Sequence, residues 1–116
     1  MRRLLLAALL LSPAAFAQDW VPREAAELQL LDKVTARVTV LKARVGEPLE
    51  FGALSILVRA CNARPVGEVP DAAAFLEVAD RRRAEGAAFR GWMFANAPGV
   101  SMLEHPVYDL RVLSCA

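Results

Sequence analysis

Apolar and polar residues alternate along most of this chain, and that period of two limits its fold more than any other feature. Val34, Ala36, Val38 and Val40 alternate with Thr35, Arg37 and Thr39, a β-branched run suited to a pleated, half-buried surface. Leu28 and Leu30 alternate with Glu27 and Gln29, so the Asp32-Lys33 step predicts a tight turn and Glu27 to Leu41 a hairpin. Leu49 to Phe51 predicts a short strand ending at Gly52. Leu54, Ile56, Val58 and Ala60 follow as even positions of a strand, which sends them to the core and Cys61 the other way, or to the strand's end. Asn62 to Asp71 carries Pro65, Gly67 and Pro70 and predicts an exposed loop. Ala74, Leu76 and Val78 give another strand, with the charged stretch Asp80 to Gly86 as a solvated hairpin tip after it. A strand over Arg90 to Ala95 departs from the alternation, and a last one over Val107 to Cys115 resumes it, with Tyr108, Leu110 and Val112 on one face. Seven candidate strands and no ten-residue helical period predict an all-β domain, a small β-sandwich or partly closed barrel.

The first residues do not fit this pattern and have a different explanation. Arg2 and Arg3 precede an apolar run from Leu4 to Leu11, and Ala15-Phe16-Ala17 supplies an A-x-A cleavage site before Gln18. That order is the order of a secretory signal peptide, and the run is too short for a membrane span, which needs about 20 apolar residues. Residues 1–17 are therefore expected to be removed, residues 18–27 to form a short tail, and residues 28–116 to be a single β domain in the periplasm. No membrane span remains after that removal. Of the 14 Lys plus Arg, two lie in the signal, leaving 12 against 13 Asp plus Glu, a net charge of −1. Such a balance offers no electrostatic footprint for nucleic acid.

Cys61 and Cys115 both lie beyond the cleavage site, where an oxidising compartment normally closes such a pair. Two buried free thiols are the alternative. Loop closure of this length contributes about 4 kcal/mol on the chain-entropy model. Both cysteines fall at the C-terminal ends of their strands, and a bridge needs their Cα atoms within about 4.4 to 6.8 Å. Antiparallel neighbours of equal extent would place those ends apart, so the two strands are expected to run parallel or to lie in facing sheets.

The residues with chemical potential concentrate between Phe89 and Cys115. His105 is the only histidine and the one candidate base near neutral pH, with Glu104 and Asp109 close in sequence. Ser101, His105 and Asp109 are spaced by four, but Pro106 drives His105 out of helical conformation and Asp109 sits in a strand pattern, so the spacing does not align them. The plainer role for Glu104-His105-Pro106 is to fix the loop that leads into the last strand. Two cysteines and one distant histidine lack the local ligand pairs of a metal site, and no motif calls for a cofactor. Arg81, Arg82 and Arg83 stand beside Asp80 and Glu85 and read as a solvated face rather than an anion site. Trp92, Met93 and Phe94 are consecutive and must cover both faces of a strand, either buried or presenting aromatic surface. The functional expectation is a non-enzymatic interaction module of the cell envelope, contacting another envelope protein or a cell-wall component through Trp92, Met93, Phe94, Glu104, His105 and Tyr108. The alternative is a small-ligand-binding domain or a hydrolase-like enzyme using His105 with a nearby carboxylate.

Several strings in the chain resemble a known family. LDKVTARV at Leu31 to Val38, FGALSILVRACNARP at Phe51 to Pro65, AAFLEV at Ala73 to Val78, and GWMFANAP with LEHPVYDLRVLSC are similar to the domain of unknown function 2155 family. The likeness spans Leu31 to Cys115 and implies a small exported protein of a kind found mainly in alphaproteobacteria. It places Cys61 and Cys115 at the family's two cysteine positions, and carries no catalytic or ligand residues with it. Asn96-Ala97 stands where the resemblance leads one to expect a pair of serines.

Overall fold

In the computed structural model, which describes residues 19–83 and 87–116, the alternation becomes eight strands in two sheets. The strands are β1 (Val21–Pro22), β2 (Ala25–Asp32), β3 (Arg37–Arg44), β4 (Leu49–Phe51), β5 (Leu54–Ala63), β6 (Ala72–Asp80), β7 (Phe89–Phe94) and β8 (Tyr108–Cys115). One sheet has the order β1-β5-β6-β7, with β4 paired to the other end of β5; the second has the order β3-β2-β8. All pairings are antiparallel. The expected signal peptide and its cleavage site lie outside the described residues.

The core is the space between the sheets. Leu28 and Leu30 from β2, Leu54, Ile56 and Val58 from β5, Leu76 and Val78 from β6, and Leu110 and Val112 from β8 fill it. Burying side chains of this size is worth about 1.5 to 3 kcal/mol each before conformational entropy is set against it.

Three expectations need correction. The tail expected over residues 18–27 is partly structure: Val21 and Pro22 pair with Ala63 and Asn62, and Ala25 and Ala26 are buried at the start of β2. The turn expected at Asp32-Lys33 occupies residues 33–36, because Asp32 Oδ1 accepts from Val34 N at 2.9 Å and Thr35 N at 3.2 Å. Asp32 then pairs with Arg37, so Leu41 and Thr39 sit opposite the inward Leu28 and Leu30. Val38 and Val40, expected only as part of a half-buried strand, are turned to solvent, 56% and 50% exposed.

The third correction is a change of phase inside β5. Val58 pairs with Leu76 and Ala60 with Phe75, leaving Arg59 as an extra residue in a β-bulge. Even positions face inward up to Val58; beyond the bulge Cys61 is the inward residue, and Ala60 and Asn62 turn outward with their partners Phe75 and Ala73. A second bulge does the same in β8, where Glu27 pairs with Ser114 and Leu28 with Val112, so Leu113 is the extra residue. Cys115 thereby also reaches the interior. The two cysteines form a disulfide with Cα atoms 5.6 Å apart, joining β5 of one sheet to β8 of the facing sheet.

Candidate functional site

The structure separates the expected site residues into two places at opposite ends of β6. At the Asp80 end, His105 and Tyr108 are buried, and Glu104 is exposed at the rim of a crevice of about 250 Å³ that His105 and Asp80 also line. At the Ala72 end, Trp92 and Phe94 lie on the outer face of the larger sheet. Met93, between them, points inward and is buried against the core. The six residues expected to form one surface therefore do not.

His105 is held from every side. Its Nδ1 accepts from Val107 N at 3.0 Å and from Tyr108 N at 3.3 Å. The remaining proton must then be on Nε2, which donates to Asp80 Oδ2 at 2.9 Å. Lys33 Nζ donates to the His105 carbonyl at 2.8 Å and pairs with Asp109 at 3.2 Å. Asp80, expected at a solvated tip, is buried. It accepts from Arg82 Nε and Nη2, both at 3.2 Å, and from Arg82 N at 2.9 Å. The Arg82 side chain first, and His105 second, hold its carboxyl far below the usual carboxylate range. The Tyr108 hydroxyl accepts from Ala53 N at 3.2 Å, in the two-residue turn between β4 and β5. Gly52 in that turn has φ 55°, and a Cβ there would overlap the Tyr108 hydroxyl. With Nε2 donating to Asp80 and the Nδ1 lone pair accepting from two backbone N–H groups, both ring nitrogens of His105 are engaged inside the protein. The arrangement pins the loop before β8 to the turns around it.

The outer face at the other end is built differently. Cross-strand partners line up in two rows: Pro22, Asn62, Ala73 and Phe94 run across β1, β5, β6 and β7, and Ala60, Phe75 and Trp92 form the next row. Asn62 and Ala73 occupy the middle of the first row, Ala60 and Phe75 stand beside them in the second, and aromatic rings hold the β7 end of both. Trp20, carried by the segment that β1 ties down, closes the other side. The result is an open groove of about 270 Å³ lined by Trp20, Asn62, Ala73, Trp92 and Phe94. Trp20 and Trp92 are each 40% exposed.

Both rings are supported. The edge of Phe75 meets Trp92 with centroids 5.5 Å apart, and the Arg64 guanidinium lies 4.7 Å over Trp20 while pairing with Glu68 at 3.4 Å. Further along the same face Glu77 accepts from Arg59 and Arg90, each at 3.2 Å, and Arg59 chiefly holds its carboxyl below the usual range. Sequence reasoning found Trp92 and Phe94 but missed Trp20, Asn62 and Ala73. Trp20 stands in a segment with no strand period, and Asn62 faces outward only because of the bulge before it.

Fold and groove together define a small, disulfide-tied, two-sheet β domain with an aromatic groove on its outer face. The chain belongs to the family described as uncharacterized protein conserved in bacteria (DUF2155), whose model matches residues 26–115. Trp20 precedes the matched span. No curated protein and no solved structure matches the chain.

Proposed function

We propose that this domain is a non-enzymatic binding module of the bacterial cell envelope, exported to the periplasm by the segment 1–17, and that it engages an envelope component through the Trp20–Trp92 groove. The observation that carries the reading is that both tryptophans of the chain meet at one groove, where they remain half-exposed. Large amphipathic rings left at a surface are what binding sites use for contact area at low entropic cost. The alternative, chemistry at His105, has less support, since both ring nitrogens are engaged inside the protein.

Because the chain has two tryptophans and both line the groove, intrinsic emission reports on its occupancy. Protein recovered from cells expressing the full chain is expected to begin at Gln18 by mass and to fractionate with the periplasm. Addition of soluble envelope extract is expected to change its emission, and Trp92→Ala is expected to lose retention on immobilised envelope material. Equal retention of the two forms would end the groove reading, and an intact Met1 in the cytoplasm would end the export reading.

A further inference from the structure

We infer that the groove accepts a neutral oligosaccharide, with sugar faces stacked on Trp20 and Trp92 and hydroxyl or acetamido groups bonded to the Asn62 amide; this rests on the groove being the binding site.

Charge comes first. Among the described residues the groove lining contains no ionisable side chain; of the guanidinium groups beside it, Arg64 is paired with Glu68 and spread over Trp20, and Arg90 is paired with Glu77 and lies over Phe75. A phosphate or an acidic peptide would meet no unpaired positive charge in that lining and would lose hydration without compensation, and the cation that suits the Trp20 ring is already supplied by Arg64. The ligand that fits is uncharged.

Shape narrows the class. With the short side chains of Asn62 and Ala73 between Trp20 on one side and Trp92 and Phe94 on the other, the surface is a trough open along the face rather than a closed pocket. A pyranose presents a flat face of C–H groups, whose partial positive charge suits the negative face of an aromatic ring, and a rim of hydroxyls. The Asn62 side chain supplies a donor and an acceptor at the floor, enough for two adjacent hydroxyls or one acetamido group. The contacts Phe75 and Arg64 make with the two indoles set the rings in advance, which lowers the ordering cost of binding.

Length follows from what lies beyond. The same face continues past Phe75 to the bonded Arg59–Glu77–Arg90 group and then to a shallow trough that includes Ser55, Leu57 and Ala79. Ser55 and the polar atoms of the Arg59–Glu77–Arg90 group can meet the hydroxyls of further sugar units, so an oligomer is expected to bind better than a monosaccharide.

An extended proline-rich peptide also stacks on aromatic grooves, and a second copy of the chain is the remaining occupant; both are outcomes of the same test. Protein recovered from the periplasmic fraction is titrated with the N-acetylglucosamine tetramer, the glucose tetramer and a polyproline decamer while tryptophan emission is followed. A saturable change with either tetramer, at least tenfold weaker with its monosaccharide, is expected. Asn62→Ala and Trp92→Ala should each weaken it at least tenfold. Asn62→Ala keeps both fluorophores, so the comparison holds even if Trp92→Ala folds poorly. A response to polyproline alone, or to envelope extract but neither sugar, overturns the carbohydrate inference and leaves the groove reading standing. Sedimentation showing a dimer abolished by Trp92→Ala overturns it in favour of a second copy. Silence towards every probe and towards extract removes both readings.

Discussion

At the scale of the residue, the buried Asp80–His105 pair carries the most concentrated set of side-chain bonds. His105→Ala would leave two backbone N–H groups, those of Val107 and Tyr108, without their acceptor, and is expected to cost about 1 to 3 kcal/mol in urea unfolding. Asp80 predicts a pH dependence. Its carboxyl in the folded chain titrates well below its unfolded value of about 3.9. Its contribution is therefore complete above that unfolded value and is lost as pH falls through the folded one. Unfolding midpoints measured from pH 7 downward should decline below about pH 4, and Asp80→Asn should be less stable at pH 7 with a flatter acid limb. An Asp80→Asn profile parallel to the parent's would show that other carboxylates set the acid sensitivity. The loop-fixing role of His105 was legible beside Pro106, but its carboxylate partner was not, because Asp80 opens a run of charged residues and lies 25 positions away.

At the scale of the element, the positions of the strands were legible and the phase within them only partly so. Period-two alternation, with the short run before Gly52 and the aromatic run at Trp92, located seven of the eight strands; the two-residue β1 is too short to show any period. Alternation alone cannot say which face is inward, and β3 shows the consequence. The carboxylate of Asp32 stabilises a four-residue turn, which sets a register that turns the valines out. Replacing Val38 and Val40 together by Thr is expected to change stability by less than about 1 kcal/mol in all, whereas Leu30→Ala should cost about 2 to 5 kcal/mol. Chemical denaturation of the two variants checks the register directly, since a buried Val38 or Val40 would reverse the order. The groove was half legible for a related reason. Trp92 and Phe94 share a face by simple alternation, but Asn62 joins them only through the residue added at Arg59.

At the scale of the whole molecule, two sheets are packed face to face and crosslinked. The expectation that the cysteine-bearing strands run parallel or lie in facing sheets came from the reach of a disulfide, and β5 and β8 take the second course. Cys61→Ser with Cys115→Ser is expected to lower stability by about 4 kcal/mol, the loop-closure entropy returned to the unfolded chain. Comparison of denaturant midpoints at matched pH checks this, and a loss under about 1 kcal/mol would mean the unfolded chain is already constrained at that point. Reduction should leave the far-ultraviolet strand signature in place without denaturant, because the interior between the sheets does not depend on the sulfur atoms.

The two bulges bear on the order in which that crosslink is made. Val58-Arg59-Ala60-Cys61 and Val112-Leu113-Ser114-Cys115 are the same step taken twice: an inward valine, one supernumerary residue, an outward residue, then the half-cystine. Each step adds local twist to its strand close to where the sulfur must arrive. The backbone thus aims both thiols before any oxidant acts, and oxidation would seal an encounter that folding has already arranged.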